Sequence, residues 1–422
     1  MNYNEAQNYI EEKNRLGVVP GLTQVKELLT RLGNPQNACR TLHIAGTNGK
    51  GSVFAFVQEG LLAAGYHVGR YISPTIFTYL ERFQIDKTSM SKQEFAMYIT
   101  RVSEVVTQME KDGFASPTAF EIETAIAFLY FKEQNVDYVL LECGMGGRLD
   151  ATNVLEKAEI TVFSQISMDH MQFLGDTLAD IAKEKAGILK HGSFCIASPQ
   201  KKEVSEVLAD ICLEKQVPYE EVRPEAWNVM SMDLTGSTFS DEKGTYTIRL
   251  LGEHQITNAQ TAVCVLRKLQ IEDACIRVGL ARTCWPGRLT RIQEKPYIFV
   301  DGAHNEAAWR YLRLAVQKYF TNRRIIYIIG VLKDKEYDKM VEILAPTMAR
   351  AVTITPATPR GLPKEVLAHL LEAKHVPTDM AQTSSEAMRI ALRYAAKEDV
   401  ILVCGSLSFL SDYLSVERNG WR

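Results

Sequence analysis

The sequence predicts an α/β protein in two units: a larger N-terminal unit on a mainly parallel sheet and a smaller C-terminal α/β unit. Three observations carry this. Short apolar, strand-like runs alternate with longer stretches of helical period. A glycine-rich turn at 46–52 joins the first such strand to the first such helix. Near Glu294-Lys295-Pro296 the alternation restarts, which divides 1–295 from 296–422. The chain has 422 residues, 46% hydrophobic and 23% charged, so cores for two units can be buried.

In order, residues 41–45 (TLHIA) read as a strand running into the glycine-rich turn. From Ser52 the spacing of Val53, Phe54, Val57, Leu61 and Leu62 is helical, and Gly65 suits its end. A second strand, 68–72, leads into Ser73-Pro74. The box Ser91-Lys-Gln-Glu94 opens a helix with Phe95, Tyr98, Val102, Val105, Val106 and Met109 on one side. Another box, Thr118-Ala-Phe-Glu121, opens a helix to about 134. Residues 138–141 (YVLL) form a buried strand ending at Glu142, and 160–166 form another before Asp169-His170. A short helix spans 177–186. Residues 231–251 alternate, with Tyr246, Ile248 and Leu250 on one face, which predicts an antiparallel piece beside the main sheet. The helix after Gly252 carries Asn258. In the second unit, strand 297–300 ends at Asp301, a helix carries Trp309, Leu312, Leu314 and Phe320, and strands 325–329, 352–355 and 400–403 follow.

Composition excludes some classes of function. The formal net charge is −3 and the pI about 6.3, without the basic excess that nucleic-acid binding needs. Residues 1–10 lack the basic and apolar regions of a signal peptide. Apolar runs such as 325–329 have strand length, far short of a membrane span. Eight scattered cysteines, none in a C-x-x-C pair, read as reduced and mostly buried thiols. The expectation is a cytoplasmic protein without nucleic-acid or membrane partners.

The strongest chemical signal is Gly46-Thr47-Asn48-Gly49-Lys50-Gly51-Ser52. A glycine-rich loop between strand and helix lets successive backbone N–H groups face phosphate oxygens, and the helix start adds a favourable dipole. Lys50 can reach β/γ-phosphates and the Ser52 hydroxyl can face Mg²⁺. Gly51 separates Lys50 from Ser52, so the G-x-x-x-x-G-K-[ST] pattern is not literally met. Ser73, Glu142 and His170 follow strands of one sheet, where ligands of open α/β sheets gather. Taken singly, Glu142 could cap a loop and His170 could start a helix. By pattern alone, Lys185 in AKEKAGI sits on an exposed helix end, its charge complementing the dipole. Arg288 in WPGR and Asp301 with His304 in DGAHN flank the boundary. They suit either a clamped nucleotide or two tight turns.

Together these stretches resemble the folylpolyglutamate synthase/dihydrofolate synthase family of Mur-type amide ligases. The resemblance rests on HIAGTNGKGS (43–52), YISP (71–74), LECGMGGRLDATN (141–153), SMDHMQFLG (167–175), IAKEKAGI (181–188), GEHQITNAQTA (252–262), WPGRLT (285–290), DGAHN (301–305), GVLKDKEYDKM (330–340) and CGSLSFL (404–410). It implies a P-loop-type N-terminal ATPase domain, a Rossmann-like C-terminal domain and an active site in the cleft between them. It implies ATP held by residues 46–52, Mg²⁺ held by Ser52, Ser73, Glu142 and His170, and Lys185 as a carbamate that binds a second Mg²⁺. It places Asn258 at the nucleotide base, Arg288 at the phosphates and Asp301 at the ribose. His304 joins Lys50, Lys185 and Arg288 as catalytic, without a defined step. Leu22, Thr118, Phe120, Asp150 and Ala151 fall where bifunctional members hold dihydropteroate. Thr75-Ile76 stands where many members have His-Leu, and Glu306 where a proline is common.

The implied reaction joins L-glutamate to a reduced folate or dihydropteroate carboxylate through an acyl phosphate, in a monomer. The emphasis falls on folylpolyglutamate synthase, with dihydrofolate synthase activity as a second capacity. The alternatives are a P-loop nucleotide switch without ligase chemistry and a cell-wall precursor ligase. The latter usually carries an extra domain before its phosphate loop.

Overall fold

The computed structural model describes residues 1–17, 19–169 and 171–415. Two compact units emerge from their internal contacts. One comprises Met1–Ala226 with Thr257–Leu280; the other comprises Trp227–Ile256 with the chain from Ala281 onward.

The first unit is built on eight strands: β1 (Arg40–Ala45), β2 (Val68–Tyr71), β3 (Phe83–Ile85), β4 (Thr88–Ser89), β5 (Tyr138–Glu142), β6 (Ile160–Phe163), β7 (Phe194–Ala197) and β8 (Tyr219–Glu221). Their order is β4-β3-β2-β5-β1-β6-β7-β8. Pairing is parallel except at β2–β3 and β3–β4. The central strands are buried almost throughout because they are covered on both faces, as in parallel sheets generally. Helices α1 (Tyr3–Asn14), α2 (Thr23–Arg31), α3 (Lys50–Ala63), α4 (Lys92–Lys111), α5 (Ala119–Glu133), α6 (Met171–Leu174), α7 (Leu178–Ala186), α8 (Lys202–Glu214), α9 (Glu253–Lys268) and α10 (Asp273–Arg282) complete it, α9 beginning in the second unit. The expected capping boxes are formed: Ser91 accepts from Glu94 N at the start of α4, and Thr118 from Glu121 N at the start of α5. Phe95, Val102 and Met109 of α4 then bury against Ile122 and Ile126 of α5. Another cluster joins Ile181 and Ala182 of α7 to Leu208 of α8.

The strand expected over 160–166 stops at Phe163. The chain leaves the sheet there because the Gln165 carbonyl turns to accept from Thr47 N and Asn48 N, at 2.9 and 3.2 Å.

The second unit has two sheets. Strands β9 (Asn228–Asp233), β10 (Gly236–Asp241) and β11 (Gly244–Ile248) form an antiparallel meander. The antiparallel expectation for this stretch holds, but it forms a separate sheet in the second unit. Alternation identifies such strands without identifying their partners. The other sheet runs β12 (Thr290–Glu294), β13 (Tyr297–Val300), β17 (Val400–Cys404), β14 (Ile325–Ile329), β15 (Arg350–Thr353) and β16 (Thr378–Met380) in spatial order. All its pairs are parallel except β12–β13. Helices α11 (Glu306–Tyr319), α12 (Tyr337–Leu344), α13 (Lys364–Ala373), α14 (Ser384–Tyr394) and α15 (Leu410–Leu414) connect and cover it. Trp309, Leu312, Val316 and Phe320 bury against Phe299 and Tyr327. The division expected at 295 falls inside the β12–β13 hairpin, whose antiparallel ladder binds residues on both sides of it.

No helix of the described residues is long and apolar enough to cross a membrane. Among the free cysteines, four are buried and Cys284 is exposed.

Candidate active site

The glycine loop is held at the carboxyl edge of β1, between β5 and β6, where adjacent crossovers diverge. Gly46 has φ +148°, and a Cβ there would lie 2.0 Å from Ser164 Oγ, so no side chain fits. The expectation that successive loop amides face a phosphate changes in part. Thr47 N and Asn48 N are spent on Gln165 O, and the Thr47 hydroxyl donates to Ser167 O at 2.9 Å. The amides left for an anion are those of the first turn of α3, which have no acceptor within the helix. Gly49, at φ +92°, precedes them, with the Asn258 side chain packed where its Cβ would be.

Two lysines converge on one carbonyl. Lys50 Nζ donates to Gly46 O at 3.2 Å and lies 3.7 Å from Glu142 Oε1. Lys185 Nζ donates to the same oxygen at 3.0 Å. Glu142 is the last residue of β5, paired in register with Ile44, which brings its carboxylate to the loop. The pattern-based reading of Lys185 as exposed is corrected: it is 5% exposed, on the inner side of α7. Burial, reinforced by the charge of Lys50, lowers its pKa to about 8. A lysine near 8 keeps a useful fraction of free amine at neutral pH, as carbamate formation requires.

Ser52 Oγ is buried without a hydrogen-bond partner among the described residues. An orphaned hydroxyl costs about 1–3 kcal/mol, and a hard cation beside a carboxylate would satisfy it. The donor set of Ser52 and Glu142 therefore fits Mg²⁺. Ser73 follows β2 and lines a neighbouring cleft. His170 lies outside the described residues. Among those described, no three His, Cys, Asp or Glu side chains gather as a metal site.

That cleft, of about 380 Å³, is walled by Ser73, Thr118, Phe120, Asp150 and Ala151, by the glycine-rich turn 144–149, and by Phe173. This size suits a drug-sized ligand. Phe120 stacks on Tyr71 at 5.9 Å, fixing one wall. Asp150 is 7% exposed, and burial raises its pKa against the pull of backbone and Thr152 donors. Leu22 caps α2 half-buried against the core; Gly21, not Leu22, lines the cleft.

In the second unit Asp301 ties two turns together. Its carboxylate accepts from Leu289 N and Ala303 N, both at 2.7 Å, while Gly302 N donates to Gly287 O at 2.8 Å. Burial raises the Asp301 pKa, and the Arg288 guanidinium opposes that rise. Asp301 thereby presents half-buried Arg288 beside Gly302. His304 Nδ1 lies 2.8 Å from Gly302 O, so Nδ1 carries the proton in that contact. His254, absent from the sequence-based candidates, is half-buried in the same unit. Burial and then Arg288 push its pKa down to about 4.

The sequence matches the Mur ligase middle domain over residues 44–266 and the Mur ligase, glutamate ligase domain over 287–407. It is 35% identical to the dihydrofolate synthase/folylpolyglutamate synthase of Bacillus subtilis (strain 168), over 97% of this chain and 98% of that one. The chain belongs to the folylpolyglutamate synthase/dihydrofolate synthase family. Its fold superposes on Mycobacterium tuberculosis folylpolyglutamate synthase complexed with ADP, with TM-score 0.90, 29% identity, and 100% and 99% of the two chains covered. Escherichia coli FolC in complex with DHPP and ADP gives TM-score 0.86 at 30% identity, covering 97% of each chain. As a member of this family the chain is an ATP-dependent ligase that joins glutamate to a folate-type carboxylate. Its substrates are small molecules.

Sequence reasoning named the phosphate loop, Glu142 and, in the cleft wall, Ser73, Thr118, Phe120, Asp150 and Ala151. It missed the wall at Gly17, Val19 and Pro20, and the Gln165 carbonyl that takes two loop amides. The glycine cluster after Glu142 was the available signal for the 144–149 turn.

Proposed function

We propose that this chain extends a reduced folate with L-glutamate through an acyl phosphate, with dihydropteroate as a second acceptor. The carrying observation is the convergence of the α3 start, Lys50, Lys185 and Glu142 on the Gly46 turn. The ATP triphosphate lies on the first-turn amides of α3, with Lys50 against the transferring phosphate. The acceptor occupies the cleft of Thr118, Phe120, Asp150 and Ala151. Its carboxylate attacks the γ-phosphorus, the β–γ bridging oxygen leaves with ADP, and an acyl phosphate forms. The glutamate amine then attacks the acyl carbon, and phosphate departs as the amine loses its proton. Phosphoryl transfer asks mainly for positioning and charge stabilisation, and fixed amides and ammonium groups provide both.

Mg²⁺, held by Ser52, Ser73, Glu142 and His170, would neutralise charge on the phosphates. Lys185 as a carbamate would offer oxygen ligands to a second ion. Arg288 serves the phosphates, Asn258 the base, Asp301 the ribose side by way of the turn it fixes, and His304 the catalytic set. The first unit acts as the ATP-binding domain, and the second, from Ala281 onward, as the glutamate ligase domain. The working form is a cytoplasmic monomer.

The test is ADP release with product analysis, supplying dihydropteroate and a reduced folate side by side. The expected outcome is ADP formation that needs both acceptor and glutamate, with one glutamate added per ADP. ADP formed regardless of both would identify a nucleotide switch instead.

A further inference from the structure

From Asp150 in the cleft wall, a buried chain of polar contacts runs inward to β1. Asp150 Oδ1 accepts from the Thr152 hydroxyl at 2.5 Å and from Thr152 N at 3.0 Å, and Oδ2 accepts from Met145 N at 2.8 Å. Thr152 Oγ1 lies 2.8 Å from His43 Nε2. Cys143 Sγ lies 3.1 Å from that nitrogen and 3.7 Å from Thr152 Oγ1. Thr152 is 0%, His43 1% and Cys143 2% exposed.

The distances place the protons. A threonine hydroxyl has one proton to give, and 2.5 Å against 3.7 Å assigns it to Asp150 rather than Cys143. Thr152 Oγ1 must then accept from His43, so the ring carries its proton on Nε2. Burial, aided by Lys190, lowers the His43 pKa to about 3, so the ring stays neutral with that single proton. The Cys143–His43 pair has the spacing of a nucleophile and its base. Both are sealed from substrate, however, and burial pushes the thiol pKa well up, so the pair is not nucleophilic.

We propose that His43 and Thr152 are positioning residues of the acceptor cleft: the relay from His43 Nε2–H through the Thr152 hydroxyl to Asp150 Oδ1 fixes that carboxylate to receive an N–H of the acceptor's heterocycle on Oδ2. A carboxylate turns easily about its last torsion, and one locked by neighbours binds donors without reorganising. His43 supplies the fixed end, because β1 is paired on both sides by β5 and β6. This rests on reading the cleft as the acceptor site.

The experiment compares Thr152→Val, Thr152→Ser and His43→Gln in the full chain, measuring KM for acceptor, ATP and glutamate. Valine keeps the shape and removes the relay, and is expected to raise acceptor KM about tenfold, the loss of one charge-assisted hydrogen bond. KM for ATP and glutamate should stay within about twofold, a scatter below one such bond. Serine should restore the wild-type acceptor KM. His43→Gln should raise acceptor KM alone, yet add nothing in the Thr152→Val background. Histidine ring ¹⁵N NMR of the wild type, with His43 assigned by its loss in His43→Gln, should show the Nε2–H tautomer. That readout stands even where the valine variant does not fold. Unchanged acceptor KM, equal rises in all three KM values, additive effects in the double variant, or an Nδ1–H tautomer would each overturn the proposal. A wild type whose ADP release ignores every pterin acceptor would instead remove the acceptor reading itself.

Discussion

Lys185→Met should make the first unit more stable at pH 7 while abolishing ligation. Methionine fills nearly the same volume without charge. A buried ammonium held near pKa 8 instead of 10.5 carries about 3 kcal/mol of penalty. Methionine in turn withdraws one of the two lysine donors on Gly46 O, a cost of about 1.5 kcal/mol. The net gain from methionine is then about 1–2 kcal/mol, which for a unit of this size raises Tm by roughly 2–8 °C.

The sign follows from proton counting. Between about pH 8 and 10.5 the unfolded chain holds the lysine proton and the folded chain has lost it, so stability rises with pH across that window. The penalty is complete below about pH 8 and gone above 10.5. The advantage of methionine should therefore be largest at pH 7 and vanish towards pH 10.5, read by thermal denaturation in CO₂-free buffer. Bicarbonate should raise the Tm of the wild type and leave Lys185→Met unmoved, because a carbamate faces Lys50 as an anion rather than a cation. A fall in Tm for Lys185→Met at pH 7 without CO₂, or a gain constant to pH 10.5, would refute the burial argument.

Lys50→Ala and Glu142→Ala should each abolish ligation with Tm close to wild type, checked by ADP release and thermal melting. Ser52→Ala removes a buried hydroxyl with no partner, so Tm should hold or rise slightly while the Mg²⁺ concentration for half-activity rises at least about tenfold, one lost ligand's worth. Gly49→Ala and Gly65→Ala start from similar φ values, +92° and +86°, but only the former meets Asn258, at 2.6 Å. Both should lose about 1 kcal/mol of stability from backbone strain, and only Gly49→Ala should weaken binding of an ATP analogue by calorimetry. Asp301→Asn leaves one of two backbone N–H groups facing an amide NH₂ and should cost about 1–3 kcal/mol, seen as a lower Tm for the second unit.

What could be read in advance depended on how local each feature is. The capping boxes at Ser91 and Thr118 are complete within four residues, and both helices begin there. Residues 138–141 of β5 and the whole of β14 are unbroken apolar runs, and their identity survives any tertiary arrangement. The glycine loop was legible because its amides are contiguous in sequence. The partners of 227–256 were not, since a meander of alternating residues fits any sheet with a free face. Lys185 was opaque for the same reason. A lysine in the last turn of a helix looks solvated, and only the packing of α7 decides that its ammonium points inward to Gly46 O.

The two halves of the proposed site share one piece of scaffolding, the paired carboxyl ends of β1 and β5. In register, His43 faces Leu141 and Ile44 faces Glu142. One residue pair further, the strands diverge into the phosphate loop and the 144–153 turn. In the proposed reaction Lys50 and Glu142 serve the phosphate side, and His43, through Thr152, serves the acceptor side. The charges are sorted accordingly: the Lys50 ammonium stands at the Gly46 carbonyl where a triphosphate would lie, and the buried carboxylate of Asp150 stands in the cleft. A field arranged this way draws the polyanion to one end and turns the acceptor so that its own carboxylate lies away from Asp150. Reversing the cleft charge with Asp150→Lys should therefore impair acceptor binding far more than Asp150→Asn, with ATP affinity unchanged in both. Equal loss in the two variants would mean that Asp150 acts by shape alone.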